Sequence, residues 1–133
     1  MEVKELCRLD INLYKCVSEQ IDTDRVVITN KSVIHIADHH PEAYEDVLIE
    51  LKDTINNPDY IIKDDKHNDT GLIIKKILNS EGKDEHTFVV LKICIDSQDD
   101  QLANSIISGW KIGGRRLNSY LRNKHVLYKK DEN

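Results

Sequence analysis

The segment "YIIKDDKHNDTGLIIKKILNSEGKDEHTFVVLKICIDSQDDQLANSIISGWKI", residues 60–112, alternates four apolar runs with three polar connections. The runs are "YIIK", "LIIKKIL", "HTFVVLKICID" and "NSIISGWKI", all rich in the β-branched and aromatic residues that suit a pleated, half-buried surface. Between them "DDKHNDTG", "NSEGKDE" and "SQDDQLA" have the polarity and length of hairpin links. The spacing predicts four strands joined as an antiparallel meander.

Moving toward the N-terminus, Asn56-Asn57-Pro58 stops the clearest amphipathic helix of the chain, which starts at Pro41. Tyr44, Val47, Leu48, Leu51 and Ile55 recur there at i, i+3, i+4, i+7 and i+11. Further upstream "RVVIT" (25–29) is short and β-branched, and Asn30-Lys31-Ser32 supplies a turn and an N-cap hydroxyl for a short helix through His35. In "LDINLYKCVSEQ", Leu9, Leu13, Cys16 and Val17 keep helical spacing behind a capping Asp10. Beyond the meander, Gly113-Gly114 precede a helix at "RRLNSYLRN", and "HVLY" is apolar enough to pack back on the sheet or a helix. The expected class is α+β, with N-terminal helices packed on a four-stranded antiparallel sheet and a short C-terminal helix.

A chain of 133 residues has the usual size of one domain, here taken as 1–133. Its 39% hydrophobic and 32% charged residues describe a globular chain, and no apolar run approaches the roughly eighteen residues of a membrane helix. The opening "MEVKELCRLD" lacks the basic-then-apolar order of a secretory signal, so a cytoplasmic location and no membrane partner are expected. Cys7, Cys16 and Cys94 are odd in number and have no Cys-x-x-Cys spacing, which favours core thiols over disulfides or a zinc knuckle.

The net charge of -5 conceals an asymmetry. From Trp110 onward, Lys111, Arg115, Arg116, Arg122, Lys124, Lys129 and Lys130 face only Asp131 and Glu132, so this tail carries +5 and residues 1–109 carry −10. A basic patch on an acidic body is a footprint for a polyanion, set against the plainer reading of a solvated charged face. On the predicted terminal helix Arg115, Ser119 and Arg122 share a face while Leu117 and Leu121 turn away. Gly113-Gly114 would let a phosphate approach the amides at its start.

The order "DRVVIT", "HI…HP", "NNPDYII", "IIKKI", "NSIIS" with "KI", and "RRLNSYLRNKHVLYKK" resembles a phage-associated nuclease family of the barnase, EndoU, colicin and RelE class, over roughly residues 24–130. The resemblance implies N-terminal helices on a four-stranded antiparallel sheet and a metal-independent ribonuclease without cofactors. Where the family pattern has threonine after "NSII", this chain has Ser108, which keeps the hydroxyl. RNA cleavage without metal needs a base for the 2′-OH proton, an acid for the leaving 5′-oxygen, and cations around the phosphorane. The resemblance assigns His35, His40, Lys75 and Ser108 to catalysis. Lys75 adjoins Lys76, so one of the pair faces inward, and the resemblance favours Lys75. Lys111, Arg115, Arg116, Arg122 and Lys124 are the expected phosphate-binding set.

Other readings compete. His40 precedes Pro41 and so occupies a helix N-cap, where a ring is unusual, while His39 is read as facing solvent. His35 and His39, four apart, match the spacing of a zinc-protease pair, but no Glu follows as base and Pro41 limits the helix, so no metal is expected. His67, His86 and His125 are read as surface residues, and Trp110 and Tyr120 as either core or base-stacking rings. The expected function is an endoribonuclease acting on transfer or other structured RNA, leaving a 2′,3′-cyclic phosphate, as a phage or mobile-element effector. RNA is its expected partner, with a cognate inhibitor protein as a second candidate. The alternatives are an inactive RNA-binding module of the same fold, and a protein-interaction domain using the acidic residues 42–100.

Overall fold

Side chains alternate across a strand, so a run such as Tyr60-Ile61-Ile62 stays apolar throughout only if both faces of its sheet are covered. This is the arrangement in the computed structural model, which describes residues 3–29, 44–76, 85–96 and 102–130. Ile61, Ile73, Val89, Leu91 and Ile93 point into one buried cluster, and Tyr60, Ile62, Leu72, Ile74 and Phe88 into another on the opposite face.

The elements in chain order are β1 (Val3–Arg8), α1 (Ile11–Tyr14), β2 (Arg25–Thr29), α2 (Tyr44–Asn56), β3 (Tyr60–Lys63), β4 (Thr70–Lys76), β5 (Glu85–Asp96), β6 (Leu102–Gly113), α3 (Gly114–Asn123) and β7 (Val126–Lys129). The described strands form one sheet in the order β1-β2-β6-β5-β4-β3-β7. Helices α1 and α2 lie over the first cluster, where Leu51 and Ile55 of α2 and Tyr14 of α1 are buried. The Tyr14 hydroxyl donates to the Ile55 carbonyl at 2.8 Å and ties the two helices together. Helix α3 covers the other face through Leu117, with Tyr120 against Phe88 at 5.5 Å between ring centroids. Tyr120 is thus a core-edge ring.

The four-strand meander is present as β3 to β6, each pair antiparallel. The expected four-stranded sheet with helices first is nonetheless too small a description. Strand β1 pairs with β2, and β2 then runs parallel to β6, Val26 to Ile28 opposite Asn104 to Ile106. On the other edge "HVLY" forms β7 against β3. Both additions satisfy backbone groups that would otherwise line open edges. The first helix is one turn only, capped as expected by Asp10, whose carboxylate accepts from the Leu13 amide at 3.2 Å. The short helix expected at Ser32 to His35 lies outside the described residues.

Gly109 marks where α2 presses closest on the sheet: a Cβ there would stand 2.9 Å from Leu51 Cδ2. Cys7 and Cys16 are free and half-buried, and burial pushes the Cys7 thiol up to about 11, as core thiols should behave. His86 departs from its expected surface position. It is only 7% exposed, because its strand position is covered beside Ile112.

Candidate active site

Register across β4, β5 and β6 places Lys75 opposite Thr87 and Thr87 opposite Lys111, so the three side chains form a row on the face that carries α2. This settles the neighbouring lysines: Lys75 turns toward α2, and the Lys76 ammonium sits 5.2 Å from the centroid of the Tyr60 ring on the other face. Helix α2 supplies the counter-charges. Lys111 Nζ lies 2.5 Å from Glu50 Oε2 and donates to Thr87 Oγ1 at 3.1 Å. Lys75 Nζ donates to the Asn57 carbonyl at the helix end at 3.1 Å and lies 3.5 Å from Asp53 Oδ2.

Glu50, Asp53, Lys75, Thr87 and the strand end at Lys76 line a cavity of ≈ 290 Å³. The ion pairs at its rim are half-exposed, so each is worth little on its own and is open to exchange. An incoming phosphodiester carries the same single negative charge as each carboxylate, but spreads it over two oxygens that one group could present to both ammonium groups. Sequence reading had Lys75 and Lys111 but not Glu50 or Thr87. The signal for Glu50 was its position on α2 one residue before the buried Leu51.

The remaining expected residues do not join this row. Ser108 is opposite Val90, which packs beneath α3, so Ser108 and Lys111, three apart in one strand, serve opposite faces. Residues 108 to 113 pair with residues 90 to 85 without interruption, so ordinary alternation sets those faces. Arg115 and Arg122 line a groove of ≈ 580 Å³ on the outside of α3 with Gly114, Asn118 and Leu121. Asn118 thus takes the place expected for Ser119, whose hydroxyl accepts from Asn123 at 3.2 Å. Leu121 packs with Leu117 against the cluster beneath α3, as expected, and its edge also borders the groove. Arg115, Arg116 and Arg122 form no ion pair with a described residue, whereas Lys124 lies 3.5 Å from Asp65. His35, His39 and His40 lie outside the described residues, as does the side chain of Trp110. Among the described residues no three His, Cys, Asp or Glu side chains converge as a metal site would require.

Two lysines and a hydroxyl are thus brought together on the sheet of an α+β fold. A family model described as phage-Barnase-EndoU-ColicinE5/D-RelE like nuclease3 matches residues 13–119, and the chain belongs to this nuclease-like family. Comparison with curated proteins and with solved structures gives no match. No described helix is long and apolar enough to cross a membrane.

Proposed function

We propose that the protein is an endoribonuclease that cleaves transfer or other structured RNA by attack of the 2′-oxygen on the adjacent phosphorus. The 5′-oxygen leaves, and the products are a 2′,3′-cyclic phosphate and a free 5′-hydroxyl. The observation that carries this reading is the Lys75–Thr87–Lys111 row in a chain of a nuclease-like family. In it, two fixed cations and one hydroxyl donor meet the charge that grows on the phosphorane, and Glu50 and Asp53 hold the lysines in place until substrate displaces them. The family pattern favours His35 for one proton transfer, and His40 is the candidate for the other. The reaction runs without a metal because the two ammonium groups take the place of a cationic cofactor at the phosphorus. A phage or mobile-element effector, held in check by a cognate inhibitor protein, is the role that fits such an enzyme.

The decisive experiment incubates purified protein with a transfer RNA pool and with DNA of matching sequence, each in excess EDTA. RNA is cut and DNA is not, since DNA lacks the nucleophile. Activity lost in EDTA and restored by zinc would overturn the metal-free mechanism, and cleavage of both polymers would overturn the 2′-OH route.

The arginines of α3 add affinity. Replacing Arg115 and Arg122 together by Ala lowers the slope of log affinity against log salt by about two, one per phosphate, with folding unchanged because both side chains are exposed. Filter binding at several salt concentrations measures this, and an unchanged slope makes the groove a solvated face.

A further inference from the structure

A second cavity, of ≈ 500 Å³, opens where the loop between β3 and β4 meets the start of β7. Lys63, His67, Asp69, Thr70 and His125 line it above Val17 and Leu127. The two histidines are remote in sequence and meet because β7 docks on β3, with the Lys63 amide donating to the His125 carbonyl at 2.9 Å. His67 is held: its Nδ1 is 3.0 Å from Asp64 Oδ2, while the other Asp64 oxygen accepts from the Lys66 amide at 3.0 Å. That leaves Nε2 as the ring atom available to a ligand. Burial alone would raise the Asp64 carboxyl, but the Lys66 amide, the His67 ring and Lys124 together hold it below the ordinary carboxylate range. The Lys63 ammonium forms no ion pair with a described residue.

The fixed charges around this cavity cancel. Among the lining residues the Lys63 ammonium is balanced by the Asp69 carboxylate, and the facing turn after α1 lines the cavity with Val17 and Cys16, whose thiol burial pushes up. The two imidazoles therefore decide its sign, and imidazole is the side chain that changes charge between pH 5 and 8. On the same sheet, Gly71, the register partner of Lys63, precedes Lys75 by four residues, about 13 Å along β4. Helices α1 and α2 cover Ile73 between them, so an RNA strand that used both sites would pass around the helices rather than along the sheet.

We infer that this cavity is a phosphate subsite for the RNA strand, filled when His67 and His125 are protonated. The identity of the strand rests on the proposed function, whereas the phosphate chemistry rests on the cavity alone.

The test follows the imidazole signals of the whole protein by NMR during titration with inorganic phosphate, at pH 5.5 and pH 8. In parallel, the affinity of a 2′-O-methyl oligoribonucleotide, which cannot be cleaved, is measured for the parent and for the His67→Gln, His125→Gln double variant. Phosphate moves the signals of His67 and His125 at pH 5.5 and not at pH 8. At pH 5.5 the double variant binds the oligonucleotide about tenfold more weakly than the parent, with a salt slope lower by about one, and the two proteins bind alike at pH 8. Imidazole signals that phosphate leaves unmoved at pH 5.5 overturn the subsite. Signals that move, with equal oligonucleotide affinity in parent and variant, show a site for free phosphate and overturn its place on the strand. A protein that cleaves no RNA yet shows both effects retains the subsite and loses the proposed catalysis. Both histidines are exposed, and melting curves of the variant confirm that it is folded.

Discussion

Lys111→Met lowers the single-turnover rate of RNA cleavage by about 10²- to 10³-fold, the usual cost of removing one preorganised group aimed at charge developing in the transition state. Methionine keeps the length and apolar stem of the side chain, so the packing between β6 and α2 is retained while the ammonium beside Glu50 and Thr87 is lost. The stability change stays small, because Glu50 is about two-fifths exposed and returns to water when its partner goes. Lys75→Met acts in the same direction, and the double variant loses less than the product of the two, since both ammonium groups serve one phosphate. Lys129→Met, at the exposed end of β7, keeps the parental rate. The measurement pairs a rate with a melting temperature on the same samples. A fully folded Lys111→Met protein that cleaves at the parental rate would remove the row from the mechanism.

Ile73→Ala destabilises the protein by about 2–5 kcal/mol, a large share of the roughly 5–15 kcal/mol that holds a domain of this size together. Ile73 is fully buried in the middle of β4, in the cluster that also takes Leu51 and Ile55 from α2 and Val89 from β5. Truncation leaves a cavity that neither sheet nor helix can fill without moving, and moving α2 carries Glu50 and Asp53 away from the lysines. Urea denaturation gives the size of the effect. Ile49→Ala, on the exposed side of the same helix, changes stability by no more than about 0.5 kcal/mol. A loss below 1 kcal/mol for Ile73→Ala would mean that α2 does not seal this face of the sheet.

The meander was readable because each of its strands announces itself locally: β-branched runs, polar links and Asn57-Pro58 ahead of the first strand. The same holds for α2 and α3, whose apolar positions repeat with helical period and whose ends carry Pro58 and Gly113. The basic character of the tail, and the motifs that place the chain in its family, are likewise properties of residues in order.

What the sequence left open depends on pairing between distant segments, for which no local pattern exists. "VKELCR" carries mixed charge and only Val3 among β-branched residues, and it becomes a strand because β2 offers it an edge. The parallel contact of β2 with β6 joins residues far apart in the chain, and β7 reaches β3 only after α3 has crossed the sheet. The site follows the same rule. Lys75 rather than Lys76 faces α2, and it meets Lys111 across Thr87, because two strand registers happen to align those positions. Ser108, three residues before Lys111 in an uninterrupted stretch of β6, falls on the opposite face, and the register with β5 fixes which face that is. Residue types and local periodicity thus determined the elements and the chemistry available. Register and edge pairing, which are set by long-range packing, decided which of those groups share a cavity.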